Sequence, residues 1–259
     1  MSPTAQDWIA AYRSSHDRLV SLTRDLDVAA LESPSYDTGW SIGQVLSHVG
    51  SQAEIMDLFL AAALEGRPVP GGDVFPPIWD VWNAKDPISW RDDCIAANER
   101  HVARFEGLTA AEADSFFVSM FGMDLDLTGF LRMRLGEHAA HTWDVAVALD
   151  PTATLSPEAV PLVLDNLQAV AARAGKGSDD PFSVRVTTTD PARELVVVVG
   201  ETVSISPLVE GAAYDETLSL PAEAFIRLTY GRLDPARVPD VATSGTADLA
   251  RLRAAFPGF

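Results

Sequence analysis

The chain has 259 residues, 47% of them hydrophobic and 22% charged, with Cys94 as its single cysteine; this describes a folded globular protein and excludes an intramolecular disulfide or a cysteine-cluster metal site. Its 19 basic and 37 acidic residues give a formal net charge of -18, which opposes general attraction to nucleic acid or to anionic membrane surfaces. With no signal-type apolar run after the start and no apolar stretch long enough for a bilayer span, a cytoplasmic protein with neither nucleic-acid nor membrane partners is expected.

From about Gln6 to Leu149 the apolar residues recur at helical spacing, with breaks that predict four long helices. The first runs from near Pro3 to Leu26. Ser41, after the turn-like S-P-S-Y-D-T-G-W, is a good N-cap for a second helix that continues through His48 to about Leu64, where Gly66, Pro68 and Pro70 end it. The loop G-R-P-V-P-G-G-D-V-F-P-P-I-W-D that follows is rich in Pro, Gly and aromatics, a composition suited to a lid or pocket wall. A third helix is predicted over Ser89 to Phe105 and a fourth over Leu127 to Leu149. Four helices of this length imply a bundle, whose core is a common place for metal sites.

The pattern changes at D-P-T-A-T-L-S-P. Beyond it come one more helix, about Pro157 to Ala174, and three runs rich in Val and Thr that predict strands: F-S-V-R-V-T-T-T, E-L-V-V-V-V and T-V-S-I-S. P-A-E-A-F-I-R-L-T-Y-G-R then has a helix pattern closed by Gly231, and S-G-T-A-D-L-A-R-L-R-A-A-F starts as a turn and ends as an amphipathic helix. The second half is therefore α/β, and the boundary falls near residue 150.

Within the fourth helix, Glu137 and His141 stand four residues apart in L-G-E-H-A-A-H-T-W-D. That spacing stacks two side chains on one face about a turn apart, where both can reach one metal ion. A third ligand from another helix would turn the pair into a site with open coordination positions, and His48 can supply it. A plainer reading competes: Arg134, Glu137, His141 and Asp144 could be the solvated face of an amphipathic helix, and His48 a hydrogen-bonded core histidine. Against it, Met133, Ala140, Val145, Val147 and Ala148 flank that stripe, so the helix is apolar over most of its circumference. Such a helix tends to be buried, and buried charges need partners or a metal. His138 with His141 is an alternative i, i+3 pair. His16 and His101 lie among charged residues on outward-looking faces.

No Gly-rich phosphate loop and no G-x-S-x-G are present. Cys94, among acids in R-D-D-C-I-A-A-N, reads as a structural thiol, so any nucleophile must come from elsewhere.

T-G-W-S-I-G-Q-V-L-S-H-V-G, E-H-A-A-H-T-W-D-V-A, L-T-Y-G-R and S-G-T-A-D-L-A-R-L together resemble segments of the mycothiol-dependent maleylpyruvate isomerase family, and the likeness extends over nearly the whole chain. The resemblance implies an α+β protein of two domains: a DinB-like metal-binding four-helix bundle over residues 1–150, then a smaller sterol-carrier-protein-like α/β domain over 157–259. It also implies zinc or another divalent metal on His48, Glu137 and His141, with Asp144 behind the ligands and mycothiol as thiol cosubstrate. An arginine of the second domain is expected to take part in activity, and Arg232 in L-T-Y-G-R matches best by local motif, with Arg227 and Arg237 close by. Arg134 is the candidate for holding the cofactor near the metal. His138 departs from the aromatic residue expected there, which touches the shape of the adjacent pocket.

A free thiol has a pKa of about 8.5, and coordination to a metal removes its proton. The thiolate could then attack an electrophilic small molecule, in a maleylpyruvate-type cis-trans isomerisation or in an S-transfer. A noncatalytic small-molecule-binding protein and a zinc hydrolase of a thiol conjugate are the competing functions, and a monomer is expected.

Overall fold

The computed structural model describes residues 3–211, 213–239 and 241–258. The chain divides into two compact units, Met1–Asp150 and Pro151–Phe259, and combines helices with two separate sheets.

In the first unit the long helices are α1 (Ala5–Thr23), α3 (Ile42–Glu65), α5 (Pro87–Glu106) and α7 (Leu127–Leu149). Each starts where a side chain accepts from the orphan N–H groups of the first turn. Thr4 with Asp7 and Ser41 with Gln44 form reciprocal capping boxes, Asp86 caps α5 just before Pro87, and Asp126 caps α7. Helix α1 packs on α5 and α7, and α3 packs on the same two. Ile42, Val45, Leu46, Val49, Ala53, Cys94, Ala97 and Val145 lie in the core between them.

The predicted first helix ends sooner than expected, because Asp27 caps a separate short α2 (Val28–Glu32). The Pro-rich loop is a correction too: after a 3-10 turn at Gly72–Val74, Pro76 and Pro77 open the helix α4 (Phe75–Asn83). This helix lies on α3, where Gly50 leaves room for Trp82; a Cβ at Gly50 would stand 2.3 Å from the indole. Between α5 and α7 the chain forms α6 (Ala110–Ser115) and the hairpin β1 (Phe117–Met120) and β2 (Met123–Asp126), which periodicity over such short runs did not reveal.

In the second unit, the helix expected over Pro157 to Ala174 is broken into α8 (Val160–Leu164) and α9 (Leu167–Ala174). The three Val-rich runs are β3 (Phe182–Thr189), β4 (Arg193–Val199) and β5 (Val203–Pro207), consecutive antiparallel neighbours. Strand β6 (Glu216–Pro221) pairs parallel to β3, and the short β7 (Ser244–Gly245) completes the sheet in the order β5-β4-β3-β6-β7. On β3, Phe182, Val184 and Val186 are buried while Ser183, Arg185 and Thr187 are partly exposed, the alternation of a sheet with one face covered. Helices α10 (Ala222–Thr229) and α11 (Leu249–Ala255) follow. Gly231, at φ 72°, turns the chain out of α10 where a Cβ would lie 2.4 Å from the Gly258 nitrogen.

Candidate metal centre

Helices α3 and α7 bring three potential ligands together. His48 stands on the second turn of α3, and Glu137 and His141 stand one turn apart on α7. One ligand atom from each lies within 4.8 Å of the others, the separation expected of groups around one small cation. The His48 and His141 rings meet edge to face with centroids 4.7 Å apart, and Trp40 packs 5.2 Å from the His48 ring. Glu137 Oε2 is 3.8 Å from His141 Nε2. The cluster is half open: the Glu137 side chain is 35% exposed and that of His141 11%.

The orientation of His141 is set from behind. Its Nδ1 lies 2.9 Å from Oδ2 of Asp144, which is fully buried, and 3.4 Å from Oδ2 of Asp37. With Nδ1–H donated to Asp144, the lone pair falls on Nε2, the atom on the Glu137 side. Asp144 thus lies directly against His141, three residues on along the same helix. Asp37 was not singled out there; its one signal is its place in the turn S-P-S-Y-D-T-G-W ahead of α3, which Ser35 and Trp40 hold together through backbone hydrogen bonds. An imidazole pair with one carboxylate, one imidazole locked by a second carboxylate, fits a divalent metal of the zinc type.

The other named residues fall elsewhere. Arg134, expected on the polar stripe beside a cofactor, is 1% exposed and enclosed by Tyr12, Val49, Gln52 and Asn98, so its guanidinium is spent on protein partners. The solvated-face reading of the stripe fails on the same evidence, since Asp144 is buried as well. His16 and His101 are both 1% exposed and not outward-looking, a correction that follows from the packing of α1 on α5. His138 turns the other way from His141: its Nδ1 is 2.7 Å from Ser15 Oγ on α1 and 3.3 Å from Thr142 Oγ1, which removes the i, i+3 pair as a ligand edge. In the second unit Arg232 is mostly buried beyond the end of α10, where its Nη1 donates to the Tyr230 carbonyl at 3.0 Å. Arg227 is held by Glu223 at 2.7 and 2.8 Å.

Cys94 is fully buried, and burial pushes its thiol up to about 12, against the pull of Arg134 and the Asn98 hydrogen bond. It is no candidate for a thiolate nucleophile. Among the described residues, no helix is long and apolar enough to cross a membrane.

The family model described as Mycothiol maleylpyruvate isomerase N-terminal domain matches residues 12–146, a stretch that includes His48, Glu137 and His141. Two solved structures superpose on the chain, each covering 93% of it and 93% of their own length. The crystal structure of the mycothiol-dependent maleylpyruvate isomerase does so at 15% identity with a TM-score of 0.66. That of its histidine-to-alanine mutant does so at 14% identity with the same TM-score. At such identities the likeness is one of fold. No curated protein matches the sequence.

Proposed function

The chain belongs to the mycothiol maleylpyruvate isomerase family, and from that premise we propose that it is a metal- and mycothiol-dependent enzyme acting on a small electrophile. The observation that carries this reading is the convergence of His48, Glu137 and His141 from two helices on one point, with Asp144 locking the His141 tautomer. A divalent metal there, zinc by the family likeness, would lower the pKa of an incoming thiol and make its sulfur nucleophilic at neutral pH. His48 and His141 would contribute neutral imidazole nitrogens and Glu137 a carboxylate oxygen. Asp144, by accepting from His141 Nδ1, would keep Nε2 unprotonated and aimed. The protein need supply no nucleophile of its own, in keeping with the raised pKa of Cys94.

The reaction proposed is a cis-trans isomerisation. A C–S bond forms at an activated double bond, the adduct rotates about what is now a single bond, and the C–S bond breaks with return of the thiol. No electrons are gained or lost. Release of the adduct at the intermediate stage would instead make the enzyme an S-transferase. We also propose residues 1–150 as the DinB-like metal-binding bundle and 157–259 as a sterol-carrier-protein-like domain. Arg232 enters on its motif likeness alone, as the arginine of the second unit on which turnover depends.

The test is a turnover screen of the zinc-loaded protein with mycothiol and a panel of electrophiles that includes maleylpyruvate. Turnover that requires both metal and added thiol is expected, with isomer and thioether products separating the two outcomes. Turnover without added thiol would overturn the mechanism and place the nucleophile in the chain.

A further inference from the structure

A guanidinium offers five N–H donors and no acceptor, and burying it without partners is costly. Among the described residues, Arg134, 1% exposed on α7, has neutral partners only: Nε donates to the Tyr12 hydroxyl at 3.0 Å, Nη1 to Gln52 Oε1 at 3.0 Å, and Nη2 to Asn98 Oδ1 and to the Val49 carbonyl. A buried cation without a carboxylate against it is an unusual arrangement, since buried charges are as a rule paired. Among the described residues, one side chain links it to a carboxylate. Gln52 accepts from Arg134 on one end of its amide, and on the other end its Nε2 donates to Glu137 Oε2 at 3.2 Å.

This chain has only one workable polarity. Because Arg134 cannot accept, the Gln52 oxygen must face it, and the Gln52 N–H₂ must then face Glu137. The amide dipole passes the field of the buried charge to the carboxylate, and the N–H fixes which way that carboxylate turns. At the far end, Tyr12 and Asn98 hold the guanidinium in place; the Tyr12 hydroxyl is 3.2 Å from both Asn98 Oδ1 and His101 Nδ1, and Asn98 Nδ2 donates to the Cys94 carbonyl. Glu137 is thus anchored through two side chains to the core between α1, α5 and α7, whereas its partner ligand His141 is anchored by Asp144 on its own helix.

We propose that Arg134 and Gln52 are positioning residues that act in series on Glu137, setting how tightly the cluster of His48, Glu137 and His141 holds its metal. This rests on the metal reading above and adds to it a role for two residues that touch neither metal nor substrate. Groups that orient metal ligands typically change affinity by about 10- to 100-fold when removed.

The experiment is a double-mutant cycle on the full chain with Gln52→Leu, Arg134→Met and the pair. Zinc affinity is read by chelator competition, and folding by circular dichroism and thermal unfolding. Gln52→Leu is expected to weaken zinc about 10- to 100-fold while remaining folded, since Gln52 is only half buried on α3. Arg134→Met should weaken zinc to a similar degree in the wild-type background and no further in the Gln52→Leu background, although it lowers stability in both. A purely structural arginine would lower stability and leave the zinc affinity of folded protein unchanged, which would overturn the proposal; so would additive effects of the two changes. Where Arg134→Met does not fold, Gln52→Leu decides alone, and unchanged zinc affinity there refutes the relay. A wild-type protein that takes up no zinc would instead overturn the metal reading itself, and this inference with it.

Discussion

Two groups of histidines occupy the helical unit, and α7 contributes to both: His141 turns toward His48 and the carboxylates, while His138, three residues earlier, turns into the core beside Tyr12, Ser15 and His16. In the first group the rings are partly open and have Glu137, Asp144 and Asp37 around them. In the second, His16, His101 and His138 are shut in, and Glu99 on His16 is the only carboxylate that pairs with any of them among the described residues. Burial, with the charge of Arg134 acting in the same direction, pushes His101 and His138 well below the ordinary histidine range. The same residue type thus stands as a candidate ligand where several carboxylates and access are present, and is shut into the core where access is lost.

The sharpest way to break this contrast is to remove one group at a time. His48→Ala with His141→Ala should take the protein from about one bound divalent metal, the expectation for three ligands forming one open site, to none, with the fold retained. His16→Ala, at a histidine that pairs with Glu99, should leave the metal content of folded protein unchanged. Metal analysis of the purified variants, alongside circular dichroism, checks both; full occupancy in the first pair would show that the ligands lie elsewhere.

A smaller effect is expected from Asp144→Asn, which keeps the shape and removes the charge that fixes the His141 tautomer. Zinc affinity should fall by about 10- to 100-fold, measured by chelator competition. An unchanged affinity would mean that Asp37 alone suffices to orient the ring.

The shut group predicts a pH dependence of stability. Above pH ~6.5, the ordinary histidine value, His101 is neutral in both the folded and unfolded chain and contributes no slope. As pH falls below that value the unfolded chain takes up a proton that the folded protein refuses, so stability declines toward acid, by up to about 1.4 kcal/mol per pH unit for each such histidine. His16, whose pKa burial also lowers against the pull of Glu99, adds in the same direction. Urea unfolding between pH 7.5 and 5.5 should show this decline, and His101→Phe should flatten it; a slope unaltered by that change would assign the acid sensitivity to other groups.

The smallest expected effect is on chemistry at Cys94. Cys94→Ser should leave thiol-dependent turnover unchanged, and the native thiol should resist alkylation until the protein unfolds, because a buried thiol with its pKa at about 12 presents almost no thiolate. Lost turnover in well-folded Cys94→Ser protein would contradict an external thiol as nucleophile.

Much of this was legible in the sequence because it is local. The bounds of α7, the Ser41 cap of α3, and β3 over Phe182–Thr189 follow from periods of 3.6 and 2 and from cap chemistry that act over a few residues. The Glu137 and His141 pair is likewise a consequence of one helix's pitch. Tertiary packing decided the rest. Whether a polar side chain on α7 faces solvent, a metal or the core depends on which helix lies against it, and no window of α7 contains α1 or α5. Arg134 is one residue in a polar stripe until Tyr12 and Asn98, distant in sequence, close over it. His16 and His101 have charged neighbours in sequence and buried ones in space. The break between α8 and α9, the parallel pairing of β6 with β3, and Asp37 behind His141 were hidden for the same reason: each is fixed by contacts between segments far apart in the chain, whose free energy of burial outweighs the weaker local preferences that sequence reading measures.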